Sequence, residues 1–158
     1  MGFQKRSIRG RIYQVFIPPT YVPNRPWPTI VFLHGVGENG TDGEKHLNVG
    51  LPQYIRANEQ TFPAFVIAPQ CKGPWKFVGD DEDLILDAVT AAQREWRIDS
   101  KRIYLTGMSQ GGCSTFDLGA RYPDRWAGLV VVCGAGTPSD AGRIIAPLWI
   151  YHGEKDEV

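Results

Sequence analysis

Residues 102–122 read RIYLTGMSQGGCSTFDLGARY. The apolar run Ile103-Tyr104-Leu105 gives way at Gly107-Met108-Ser109-Gln110-Gly111 to a segment with helical spacing that stops at Pro123. A serine fenced by glycines at a strand-to-helix junction has a physical reading. Its hydroxyl is a weak nucleophile and must project to where a base and oxyanion-stabilising N–H groups can reach it. A tight turn achieves this, because small neighbours let the backbone crowd and the new helix presents free N–H groups. The plainer role, Ser109 as a helix N-cap, explains neither glycine.

Outward from that junction, short apolar runs alternate with amphipathic stretches. RIYQVFIPP (11–19), TIVFLHG (29–35), AFVIAPQ (64–70), RIYLTG (102–107), AGLVVVCGA (127–135) and PLWIYHG (147–153) read as strands, the second buried on both faces. Between them a helix is expected from about Asp80 to Trp96. Leu84, Ile85, Ala88, Val89, Ala92 and Trp96 share one face, and the acidic run Asp80–Asp83 lies at the positive N-terminal end. A second helix is expected from about Gln110 to Tyr122. Strands alternating with helices imply crossover connections and a mostly parallel sheet with helices on both faces. The 158 residues suffice for one domain and are too few for two.

Composition narrows the function classes. Seventeen basic and seventeen acidic residues balance, which argues against a nucleic-acid partner. No apolar run reaches the roughly 18 residues of a membrane span, and MGFQKRSIRG has no apolar signal core. The compartment stays open, cytoplasmic or secreted after removal of a signal. Three widely spaced cysteines, Cys71, Cys113 and Cys133, give neither a disulfide framework nor a metal cluster and read as buried free thiols. No metal or organic cofactor is expected.

In a parallel sheet, ligands bind outside the carboxyl ends of the strands. Each informative cluster falls there: HGVGENGTDG (34–43), QCKGPWKFVG (70–79), GMSQGG (107–112) and HGEKDEV (152–158). Glycines in HGVG allow close backbone approach, so the N–H groups of Val36 and Gln110 are the candidate oxyanion donors. His34 reads as a structural histidine at a strand end, and His46 as solvated or capping. The glycosylation match Asn39-Gly40-Thr41 lies in this same loop and reads as accidental.

The chain resembles the α/β-hydrolase serine esterases, in the compact phospholipase/carboxylesterase-like and polyhydroxybutyrate-depolymerase-like branch. The blocks IVFLHGVGENG, VIAPQC, DAVTAAQREWRIDSKRIYLTGMSQGG and PLWIYHGEKDEV carry the resemblance, in the family's order and across essentially the whole chain. It implies Ser109 as nucleophile, Asp156 as triad acid, and the backbone of Val36 and Gln110 as oxyanion hole. Asp140 is the runner-up acid. In this fold the order is serine, acid, histidine, yet only Glu157 and Val158 follow Asp156. The chain therefore reads as a single hydrolase domain incomplete at its C-terminus, lacking a last strand, a helix and the triad histidine, and inactive alone. Its exposed edge strand is expected to self-associate or to capture a complementary C-terminal segment.

The connection GTPSDAGRIIA leaves no room for a lid domain. An open site suits short-acyl or polymer-linked esters, with thioester, feruloyl ester and polyester substrates all open. Trp75 either walls an acyl or aryl group or packs over the first helix. Two functions are compatible with these residues: a serine carboxylesterase acting through an acyl-enzyme, and a non-catalytic α/β-hydrolase-like binding module without a base.

Overall fold

The computed structural model describes residues 2–73 and 77–156. Seven strands form one sheet: β1 (Gly2–Ile8), β2 (Arg11–Ile17), β3 (Trp27–Leu33), β4 (Phe65–Pro69), β5 (Ile98–Met108), β6 (Gly128–Val132) and β7 (Leu148–Tyr151). Their order is β1-β2-β4-β3-β5-β6-β7. The first two pair antiparallel, β2 runs antiparallel to β4, and every pairing from β4 to β7 is parallel. The helices are α1 (Gly50–Ala57), α2 (Asp80–Glu95) and α3 (Gln110–Arg121).

Side-chain alternation along the strands divides the core between the two faces. Val31 and Leu33 of β3 meet Leu84, Ile85, Ala88 and Val89 of α2 and Leu118 of α3 on one face. Ile30 and Phe32 meet Ile55 and Leu51 of α1 on the other. The expected apolar face of α2 is the buried one. Its acidic start does more than meet the helix dipole, because two of the carboxylates are buried and paired. Glu82 accepts from Arg121 Nη1 at 2.5 Å and from the Tyr122 hydroxyl at 2.5 Å. Asp81 is bound by Arg11.

Three features depart from the sequence expectation. The N-terminal stretch GFQKRSI forms β1 at the sheet edge, where exposed Lys5 and Ser7 and half-buried Arg6 mask the strand pattern. Its hairpin turns through Arg9 and Gly10, both at positive φ (50° and 72°), as a two-residue primed turn requires. Helix α1 is only eight residues long, too short for periodicity to reveal. Of the three free thiols Cys71 alone is buried; Cys113 is half-buried and Cys133 is exposed.

Candidate active site

From β3 the chain passes to β4 on one side and returns through α2 to β5 on the other side of β3. The reversal leaves a crevice at the carboxyl ends of β3 and β5, where α/β sheets bind ligands. Leu33 is in register with Gly107 there, and Ser109 follows. Ser109 holds φ 51° and ψ −118°, a conformation that costs a non-glycine residue about 1–3 kcal/mol. Surrounding bonds enforce it: the Ser109 N–H donates to Val132 O at 2.9 Å, and its carbonyl accepts from the Cys113 N–H at 2.9 Å. Its hydroxyl makes no capping bond to α3, so the N-cap reading fails.

The flanking glycines are steric necessities. A methyl group on Gly107 would lie 2.2 Å from Gly111 O, and one on Gly111 would lie 2.0 Å from Leu33 O. Two further glycines, Gly112 and Gly134, touch backbone to backbone in the same way, a Cβ on Gly134 falling 2.5 Å from Gly112 C. The elbow is thus wedged between the ends of β3 and β6.

The loop after β3 stands beside the serine. A methyl on Gly35 would lie 3.7 Å from Ser109 Cβ and 3.2 Å from Glu38 Oε2, so one small group would touch both side chains. Val36 comes next and is exposed. The Gln110 N–H belongs to the first turn of α3, whose donors have no acceptor within the helix. The structure therefore brings the Ser109 side chain and the loop that carries Val36 together at the carboxyl end of the sheet. Trp75 lies outside the described residues.

The histidines separate clearly. His34 is fully buried; its Nδ1 meets Gly35 O at 2.7 Å and its Nε2 accepts from the Cys71 N–H at 2.9 Å. With both ring nitrogens engaged, and with burial pushing its pKa down, it is the structural histidine expected. His46 is not solvated: it is fully buried and donates from Nε2 to Ala68 O at 2.9 Å. Its Lys45–Asn48 turn folds under the loop rather than out to water, which polarity alone could not reveal. Burial draws the His46 pKa down to about 4. An unfolded histidine takes up its proton near 6.5, so stability is full above that pH and falls as pH drops toward 4, by at most about 3 kcal/mol. Urea titrations at pH 7 and pH 4.5 should show this loss, and His46→Gln should reduce it.

His152 is half-exposed after β7, with Nε2 3.5 Å from Asp156 Oδ2. The Asp140 carboxylate faces Arg143 Nη1 at 3.4 Å. The side chain of Asn39 turns inward, donating from Nδ2 to Gly73 O at 2.5 Å, which agrees with an accidental glycosylation match.

No family model matches the chain. Its architecture is that of the α/β-hydrolases: a solved thermostable esterase superposes with a TM-score of 0.79 at 29% identity, over 99% of this chain and 47% of that one. An acetylxylan esterase of Coprinopsis cinerea is 39% identical over 141 residues, 76% of this chain and 36% of that protein. A bifunctional acetylxylan esterase/xylanase of Neocallimastix patriciarum is 24% identical over 168 residues, 99% of this chain and 23% of that protein. The chain spans about a third or less of these two curated relatives. Its fold is therefore that of the α/β-hydrolases, and the proteins it is similar to include esterases.

Proposed function

We propose that the protein is a serine carboxylesterase acting on short-acyl or aryl esters, including esters carried on a polymer, through an acyl-enzyme. Ser109 Oγ attacks the ester carbonyl carbon as its proton passes to a base. The N–H groups of Val36 and Gln110 hold the oxyanion. Collapse expels the alcohol, which takes the proton, and water then releases the acid by the reverse sequence. Asp156 orients the base. The observation that carries this reading is the strained Ser109 backbone, held with its hydroxyl free of any capping role at the mouth of the crevice. Strain of that kind persists where surrounding structure imposes it for function, which favours an enzyme over a binding module. The relatives named as acetylxylan esterases support a short acyl group. So does the connection from β6 to β7, which holds only the 3₁₀ turn Pro138–Arg143 and no lid. The test is hydrolysis of a short-chain nitrophenyl ester by protein expressed from its complete coding sequence, with loss of activity in Ser109→Ala.

In this reading none of His34, His46 and His152 is the base. His34 and His46 are buried and bonded, and His152, although its Nε2 is 3.5 Å from Asp156 Oδ2, follows β7, two strands away from the β5 end that carries Ser109. The outer strand β7 is apolar and open: Trp149, Ile150 and Tyr151 are 58%, 55% and 60% exposed. An apolar trough of about 330 Å³ (Phe116, Pro138, Ile144, Leu148, Ile150) flanks this end of the sheet on one face. A second, of about 500 Å³ (Phe32, Leu51, Tyr104, Met108, Val130), lies on the face of α1. Such an edge pairs with a further strand, of the same polypeptide or of a second copy. Expressed alone, residues 1–158 should hydrolyse the ester near background and should associate in solution. Monomeric light scattering together with full activity would overturn both parts.

A further inference from the structure

We infer that Asn39 is a positioning residue for this reaction: its side-chain amide, locked to Gln110 and Gly73, sets the gap between the two backbone N–H groups that receive the oxyanion. The inference rests on the serine-esterase reading above. An oxyanion hole works only when both donors sit about 2.7–3.1 Å from the oxygen they receive. Here the donors ride on separate segments, Val36 in the loop after β3 and Gln110 at the start of α3 after β5, and something must hold those segments at a fixed distance.

Side chains do so. Asn39 Nδ2 faces Gln110 Oε1 at 3.2 Å, and Gln110 Nε2 faces Asn39 Oδ1 at 3.2 Å. The orientation of each amide is fixed by a second partner. Gly73 O can only accept, so the atom of Asn39 that meets it at 2.5 Å is the nitrogen. Gln110 Nε2 lies 3.1 Å from Cys71 Sγ, whose own S–H donates to Asp81 Oδ2 at 3.3 Å, so the sulfur accepts from Gln110. The loop after β4 supplies the fixed end. Asp81 accepts from the Lys72 N–H at 3.0 Å and the Gly73 N–H at 3.2 Å, and Arg11 closes the other side. Burial works against the Asp81 charge, but these donors hold its pKa below the ordinary carboxylate range. The Gly40 N–H donates to Cys71 O at 2.9 Å, tying the Asn39 loop to the same anchor. Gln110 is 4% exposed, so its amide has no water to fall back on. Three loops from three neighbouring strands are therefore knotted through one asparagine, one residue before that tie and three after Val36.

The test measures kcat and KM for a short-chain nitrophenyl ester, using protein expressed from its complete coding sequence. Asn39→Asp keeps the shape but, ionised, cannot donate to Gly73 O or Gln110 Oε1. It should lower kcat by roughly 30–100-fold, the scale of an ångström-sized misplacement or a weakened oxyanion donor, with KM within about threefold. Asn39→Ala and Gln110→Ala should behave alike, and the double variant should be no worse than the worse single one, since both break one link. Ile85→Val, in the core away from the crevice, should lower Tm with kcat unchanged, which separates positioning from general stability. Should Asn39→Asp not fold, Asn39→Ser carries the same expectation and the same refutation. A kcat within about threefold of wild type, or a loss confined to KM, overturns the inference while the esterase reading stands. Wild-type activity that survives Ser109→Ala overturns both.

Discussion

Ser109→Ala is expected to reduce ester hydrolysis by about 10⁶, to the level supported by binding and the oxyanion hole alone. The magnitude follows from the proposed chemistry: without Oγ no acyl-enzyme forms, and the remaining N–H groups stabilise only a direct attack by water. The fold should be untouched, because the hydroxyl caps nothing and the backbone bonds at Ser109 do not involve the side chain. Alanine inherits the φ of 51°, so the strain stays. Ser109→Gly is the more telling companion. Glycine adopts this conformation freely, and even after its larger entropy cost in the unfolded chain the variant should gain about 1 kcal/mol, or about 2–4 °C in Tm. An inactive variant more stable than wild type would show the strain to be held for the reaction. Activity within tenfold of wild type in Ser109→Ala would remove this serine from the mechanism.

How much of this was legible in the residues depends on range. The elbow was, because its signal is local: a strand, a tight turn and a helix in 21 consecutive residues, with Gly107 and Gly111 in van der Waals conflict with any side chain. The order of elements was legible for the same reason, since buried parallel strands are apolar throughout. Edge strand β1 was not, because one face and one edge of it meet water and its charges break the pattern. Nor were the ties among Asn39, Cys71, Gln110 and Asp81, which join residues up to 71 positions apart through side chains that look like ordinary loop and helix polars. Asp81 read as one of four acids at a helix start. Only the position of Arg11 on β2, beside the carboxyl end of β4, makes it the one that is clamped. Burial of His46 was equally hidden, since Leu47 is the one large apolar side chain in the segment from Asp42 to Asn48, while the neighbours of His46 in space are Ala68 and His34.

Asp156→Asn is expected to cost about 10⁴ in turnover, the loss seen when a triad acid can no longer hold its histidine in the productive tautomer. The residue sits after β7, on the side of the sheet end where the crevice opens, and its N–H donates to Gly153 O at 3.1 Å, which fixes the turn that presents it. Its carboxylate is within 3.5 Å of His152 Nε2, and two roles for that contact make opposite predictions. If His152 only packs beside the acid, His152→Ala should leave turnover within a few-fold of wild type while Asp156→Asn remains severe. If His152 is itself the base, both substitutions are severe, His152→Ala the more so, and residues 1–158 alone should hydrolyse the ester. Position argues for the first. His152 follows the strand two places from β5, and adjacent strands lie about 4.8 Å apart, so its backbone stands roughly 10 Å from that of Ser109 with the end of β6 between them. An acid at that distance serves well through an intervening imidazole, whereas a base must reach the hydroxyl itself. Should Asp140→Asn show the large loss in place of Asp156→Asn, the acid moves to the turn after β6, and the Arg143 contact becomes the interaction that must open for catalysis.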